Sequence, residues 1–119
     1  MINKNCLLSM SEENEHLFIR ISGEIDHHSA VGVRNEIDSK IMELRPKRAV
    51  MDLSGIDFMD SSGLGLIMGR FSKMRAVGGE LTLLDPSDRI MKIFVLAGLE
   101  KIVKIEFSAE SKEEVRHEN

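Results

Sequence analysis

Residues 49–65 read Ala49-Val50-Met51-Asp52-Leu53-Ser54-Gly55-Ile56-Asp57-Phe58-Met59-Asp60-Ser61-Ser62-Gly63-Leu64-Gly65. The nearly continuous apolar run from Ala49 to Leu53 predicts a central strand covered on both faces. Beyond the polar, glycine-rich stretch, Leu64, Ile67, Met68, Phe71 and Met74 recur at helical spacing, and Gly78-Gly79 ends the stripe. The strand therefore passes into a helix through Asp60-Ser61-Ser62-Gly63.

The same alternation extends in both directions. Upstream, Cys6–Met10 and His16–Ser22 read as two strands, with Leu17, Ile19 and Ile21 on one face, joined by a polar turn at Ser11-Glu12-Glu13-Asn14-Glu15. Gly23-Glu24-Ile25-Asp26-His27-His28-Ser29 breaks that pattern. A helix with Ala30, Val33, Ile37, Ile41 and Leu44 on its inner face follows, capped by Ser29 or Asp26 and stopped before Pro46. Downstream, Glu80–Leu84 is a strand, and Pro86-Ser87-Asp88 opens a third helix that closes at Gly98. A last strand is expected at about Ile102–Ile105. The charged stretch Glu110–Asn119 is expected as a terminal helix that buries little. Strand and helix alternation predicts an α/β fold: a mixed, mostly parallel sheet of about five strands with packed helices, the first hairpin adding an antiparallel edge.

A chain of 119 residues predicts a single domain over 1–119, with a charged tail at about 108–119. Hydrophobic residues make up 42% and charged residues 30%, and no apolar run approaches the roughly 20 residues of a membrane span. The first residues resemble neither a signal nor a transit peptide, so a cytoplasmic location is expected. Cys6 is the single cysteine, which excludes an internal disulfide and predicts a small buried strand residue. With 16 Lys and Arg against 20 Asp and Glu, spread along the chain, the net charge of −4 argues against direct nucleic-acid binding.

Two readings of Asp60–Gly65 compete. Ser, Asp and Gly at a strand-to-helix turn can simply cap the helix. However, one polar side chain suffices for a cap and three stand here in succession. Gly63 and Gly65, inside the first turns of the helix, each cost about 1 kcal/mol relative to alanine. Something is therefore expected to approach closely, and a helix start with unpaired N–H groups suits a phosphate, either bound or carried on a serine. No Gly-Lys-Ser or Gly-Lys-Thr follows, and the glycine spacing misses the dinucleotide fingerprint, which disfavours nucleotide turnover. A serine hydrolase is disfavoured too, because the elbow glycine before the serine is missing. Adjacent His27 and His28 point apart in a helix or strand, so neither they nor Glu24 and Asp26 predict a metal site. The loop from Gly23 to Ser29 reads as a helix cap or as an interaction loop. Ser61 and Ser62 are equally close to the helix start as phosphosites, and Ser62 is the one expected to cap the helix or bond a backbone N–H.

The signature Asp60-Ser61-Ser62-Gly63-Leu64-Gly65, after the strand Val50-Met51-Asp52-Leu53-Ser54, resembles the STAS family of small domains typified by bacterial anti-sigma factor antagonists. Gly23-Glu24-Ile25-Asp26-His27-His28-Ser29-Ala30 is similar to the matching loop of the family's sporulation branch, and the likeness covers nearly the whole chain. The resemblance implies a non-enzymatic switch. Its unphosphorylated form would bind an anti-sigma factor that is also a serine kinase, and so would free sporulation sigma factor F, an indirect partner. The kinase would use ATP to phosphorylate Ser61, and a membrane-bound PP2C-type serine phosphatase would reverse the modification. The chain itself would need no cofactor. The implied partner-binding residues are Glu24, Asp26, His27, His28, Asp60, Ser61, Ser62, Gly63 and Gly65, with the two glycines giving clearance to the partner's surface. The competing readings are a STAS switch of another sigma or stress pathway and a nucleotide-binding protein.

Overall fold

The computed structural model describes residues 5–108. The elements are β1 (Cys6–Glu13), β2 (His16–Ile25), α1 (His27–Leu44), β3 (Arg48–Met59), α2 (Ser61–Ala76), β4 (Glu80–Leu84), α3 (Asp88–Ala97), a 3-10 turn at Leu99–Lys101, and β5 (Lys104–Glu106). They form one five-stranded sheet in the order β1-β2-β3-β4-β5, with β1 antiparallel to β2 and every other pair parallel. The mixed, mostly parallel α/β sheet expected from the sequence is the one observed. No helix among the described residues is long and apolar enough to cross a membrane.

Alternation along the strands sets the layers. Leu17, Ile19 and Ile21 of β2, Ala49, Met51 and Leu53 of β3, and Leu81 and Leu83 of β4 are buried. They share one core with Val33, Ile37 and Ile41 of α1 and with Leu66, Ile67 and Met74 of α2. Residues of the opposite parity behave differently. Phe18 is 40% exposed, and Arg20 pairs with Asp52 at 2.7 Å across β2 and β3. The expected two-sided burial of Ala49–Leu53 is therefore corrected. Asp52 breaks the apolar run on the face where Val50 lies, and a carboxylate is tolerated there because that face is only half-buried.

Three strand boundaries also differ from expectation. Ser11, Glu12 and Glu13 belong to β1, and the hairpin turns on Asn14 and Glu15 alone, both left-handed at φ 53° and 66°. These polar residues mark an exposed edge strand rather than a long turn. β2 continues through Gly23 to Ile25 by way of two register shifts against β3, at Arg20/Ser22 and Gly23/Glu24. Gly23 has φ +93°, and a Cβ there would collide with the carbonyl oxygen of Asn5. β3 is 12 residues long and carries the pairing as far as Glu24↔Phe58 and Ile25↔Met59.

The helix signals hold with smaller adjustments. Ser87 caps α3 by accepting from the Ile90 amide at 3.3 Å, and Gly98 closes it at φ 75°. The 3-10 turn takes up Leu99–Lys101 and delays the last strand to Lys104–Glu106. Cys6 is buried as expected, and burial pushes its thiol pKa up. The terminal helix expected over Glu110–Asn119 lies outside the described residues.

Candidate functional site at the paired helix starts

Because β2 and β3 are parallel and end in register at Ile25↔Met59, the residues that follow them, Asp26 and Asp60, stand at the same end of the sheet. The Asp60 amide donates to the Ile25 carbonyl at 3.2 Å, which joins the two exits. Each aspartate is extended and caps a helix. Two positive helix ends therefore open side by side.

The two caps are built differently. At α1, Asp26 Oδ1 accepts from the Ser29 amide at 2.9 Å, while the Asp26 amide donates to Ser29 Oγ, also at 2.9 Å. The Ser29 hydroxyl also reaches the Glu24 carbonyl at 3.1 Å, so this reciprocal box ties the end of β2 to the helix. The bond from the Ser29 amide is the main reason that the Asp26 carboxyl titrates below its ordinary range, with the neighbouring His28 a smaller contributor. Both expected caps are used, each bonding the other.

At α2, Asp60 Oδ1 accepts from the Ser62 amide at 2.8 Å, and the Gly63 amide donates to the Asp60 carbonyl at 3.0 Å. The cap is Asp60 and not Ser62. A phosphate at this helix start would accordingly meet a carboxylate that already holds one amide. Among the described residues the Ser61 side chain is exposed and its hydroxyl makes no hydrogen bond, whereas Ser62 is half-buried on the side facing α1. The two serines, equivalent by sequence, are not equivalent in space.

The remaining expected residues divide. Glu24, His27 and His28 are exposed at this edge, and the two imidazoles, expected to point apart, instead meet edge to face with ring centres 6.0 Å apart at 65°. Among the described residues no three His, Cys, Asp or Glu side chains gather as a metal-binding group. Gly63 is corrected. It is buried, and the space a Cβ would fill is occupied by the Met59 side chain, whose Sδ would lie at 2.7 Å. Its missing side chain serves the core and gives no clearance to a partner. Gly65 differs: it is exposed, with nothing within 4 Å of a Cβ built there. Sequence reasoning assigned no role to Phe58, which is 47% exposed and registers against Glu24. The signal was there as a large aromatic two residues before the cap, on a strand that was read as too short.

The whole edge is acidic, with Glu24, Asp26 and Asp60 around an exposed serine and an exposed phenylalanine.

A sequence profile of the STAS domain matches residues 8–113. The chain is 36% identical over 101 residues to an anti-sigma F factor antagonist of Paenibacillus polymyxa, covering 85% of this chain and 86% of that one. It is 40% identical over 85 residues to an anti-sigma F factor antagonist of Lysinibacillus sphaericus, covering 71% and 73%. Among solved structures it is similar to the anti-sigma factor antagonist SpoIIAA. The unphosphorylated form has TM-score 0.75 at 31% identity, over 93% of this chain and 97% of that one. The phosphorylated form, described as a Bacillus cell fate determinant, has TM-score 0.71 at 31% identity, over 92% and 98%.

Proposed function

Because the chain belongs to the STAS domain family, with relatives that are anti-sigma F factor antagonists, we propose that it is an anti-sigma factor antagonist of sporulation, switched by phosphorylation of Ser61. In its unphosphorylated form it binds an anti-sigma factor through the edge formed by Glu24, Asp26, His27, His28, Phe58, Asp60, Ser61 and Ser62, and sigma factor F is released. The anti-sigma factor is the serine kinase and uses ATP; a PP2C-type phosphatase restores the unmodified chain. The chain acts in the cytoplasm and performs no catalysis of its own.

The observation that carries this reading is the exposed Ser61 hydroxyl at the first position of α2, unbonded among the described residues and beside an aspartate cap. A kinase needs an accessible hydroxyl oxygen, free of competing hydrogen bonds, to attack the γ-phosphate, and Ser61 meets that condition among the described residues. Phosphoserine carries about −1.5 to −2 charge, so modification takes the chain from −4 to about −6. In the free protein that charge stays in water at the positive end of α2. In a complex it would be desolvated between Asp60 and the partner, at a cost of several kcal/mol. About 2.8 kcal/mol already lowers affinity a hundredfold. Binding is thus switched by charge without refolding.

Incubating the chain with the anti-sigma F factor and ATP, followed by peptide mass spectrometry, tests the assignment. Phosphate on Ser61 is expected; phosphate on Ser62 alone, or none, overturns it.

A further inference from the structure

Between α1 and α2, immediately below the paired helix starts, lies a groove of about 420 Å³. Its walls are Ala30, Val31 and Arg34 of α1 and Gly65, Leu66 and Gly69 of α2, and His27 and Ser62 close its upper end. The groove exists because two glycines stand on the facing side of α2. A Cβ built at Gly65 or Gly69 would find nothing within 4 Å. Each glycine weakens a helix relative to alanine, and neither is required by internal packing, in contrast to Gly63 under Met59. Val31, 41% exposed, leaves one wall apolar and wet.

The charge at the groove is unbalanced. Arg70, at its floor, is buried and already engaged: its Nε lies 2.8 Å from Asp38 Oδ1, and its Nη1 donates to the Leu66 carbonyl at 3.3 Å. Burial lowers the Arg70 pKa, Asp38 raises it, and the like charge of Arg34 lowers it again, so the two guanidiniums feel each other. Among the described residues Arg34 makes neither an ion pair nor a hydrogen bond. Asp38 pairs with Arg70, and among the described residues Arg34 is left without a carboxylate, so the groove carries a positive charge while the edge above it is acidic.

We propose that this groove takes a segment of the anti-sigma factor that sets a bulky apolar side chain against Gly65 and Gly69 and a carboxylate on Arg34. The inference rests on the function proposed above and extends it. The contact has two poles, with basic groups of the partner facing Glu24, Asp26 and Asp60 and an acidic group facing Arg34. Opposed poles fix a single docking orientation, since a reversed partner would meet like charge at both ends. His27 and Ser62 line the groove and adjoin Asp26 and Ser61, so the two poles form one continuous surface.

Dissociation constants of the full chain and its variants for the anti-sigma F factor test this, with thermal unfolding recorded beside them. Gly69→Leu fills open groove space at a half-buried position where a Cβ meets nothing within 4 Å, and is expected to melt no lower than the parent while binding at least tenfold more weakly. Arg34→Glu, at an exposed position, is expected to keep the parental melting profile and also to bind at least tenfold more weakly, with Arg34→Lys recovering most of the loss. Ser61→Asp separates the two claims. If Ser61→Asp binds weakly while Gly69→Leu and Arg34→Glu bind like the parent, the groove proposal is overturned and the switch at Ser61 stands. If Gly69→Leu and Arg34→Glu instead change only the self-association of the chain in sedimentation, the occupant is a second copy and the proposal is equally overturned.

Discussion

The Asp60 amide donates to the Ile25 carbonyl at 3.2 Å, so the start of α2 is bonded to the last residue of β2. Through this bond the cap at Asp60 and the cap at Asp26, which are 34 positions apart in the chain, become neighbours at one edge. A charge placed on Ser61 is thereby added to a surface that already carries Glu24, Asp26 and Asp60.

Ser61→Ala is expected to abolish phosphorylation by the anti-sigma kinase while leaving binding intact, because the hydroxyl makes no bond within the described structure. Ser62→Ala should still be phosphorylated. Mass spectrometry that finds phosphate retained on the Ser61→Ala chain would sink the site assignment.

Asp60→Ala removes the side chain that caps α2 and is expected to destabilise the protein by about 0.5–2 kcal/mol. For a domain of this size each kcal/mol lowers Tm by several degrees, about 4–8 °C at 60–100 residues and less in larger domains. Ser62→Ala should shift Tm far less, since only the backbone amide of Ser62 serves the cap. Equal losses for the two variants, measured by calorimetry, would contradict this division of roles.

Acid stability should depend on Asp26. Its carboxyl titrates below the ordinary 3.8, chiefly because the Ser29 amide bonds it. A group whose pKa is lowered on folding adds stability above its unfolded pKa, and that stability is lost as pH falls through the folded value. Glu106 acts in the same direction, held down first by its hydrogen bond from Lys104. Asp26→Asn keeps a capping side chain but cannot titrate, so its stability should fall less steeply below pH 3.8 than that of the parent. Parallel acid-unfolding curves would remove Asp26 from the account.

Gly63→Ala sets helix propensity against packing. Alanine would gain about 1 kcal/mol in an open helix, but here its Cβ meets Met59 Cγ and Sδ. Overpacking of this kind costs about 1–3 kcal/mol, so net destabilisation is expected, and in a double-mutant cycle the Gly63→Ala step should cost less in a Met59→Ala background than in the parent. A Gly63→Ala chain that melts above the parent would show that Met59 moves aside freely.

Most of the fold was legible because its signals are local. The helical stripes of α1, α2 and α3 and the alternation of Leu17, Ile19 and Ile21 need only the chain near them. The extents of β1, β2 and β3 were not legible, because Ser11–Glu13, Gly23–Ile25 and Ser54–Met59 are polar or glycine-containing. Gly23–Ile25 pair with residues of β3 that are distant in sequence, whereas Ser11–Glu13 pair with Phe18, Leu17 and His16 just across the hairpin and were hidden by their polarity alone. The site divides along the same line. Asp60-Ser61-Ser62 could be found by its composition, yet the difference between Ser61 and Ser62 depends on which side of α2 faces α1. The two glycines looked alike in sequence, and only Met59 beneath Gly63 separates them. Arg34 is not singled out by sequence, because an isolated arginine on a helix is ordinary until its lack of a carboxylate partner among the described residues is seen.

The central claim is tested most directly by titrating the anti-sigma F factor with the unmodified chain and with the chain phosphorylated on Ser61, at one salt concentration. The account predicts a dissociation constant at least a hundredfold weaker for the phosphorylated chain, with both forms melting at the same temperature. Equal dissociation constants, or weak binding that appears only because the phosphorylated chain has unfolded, would contradict it.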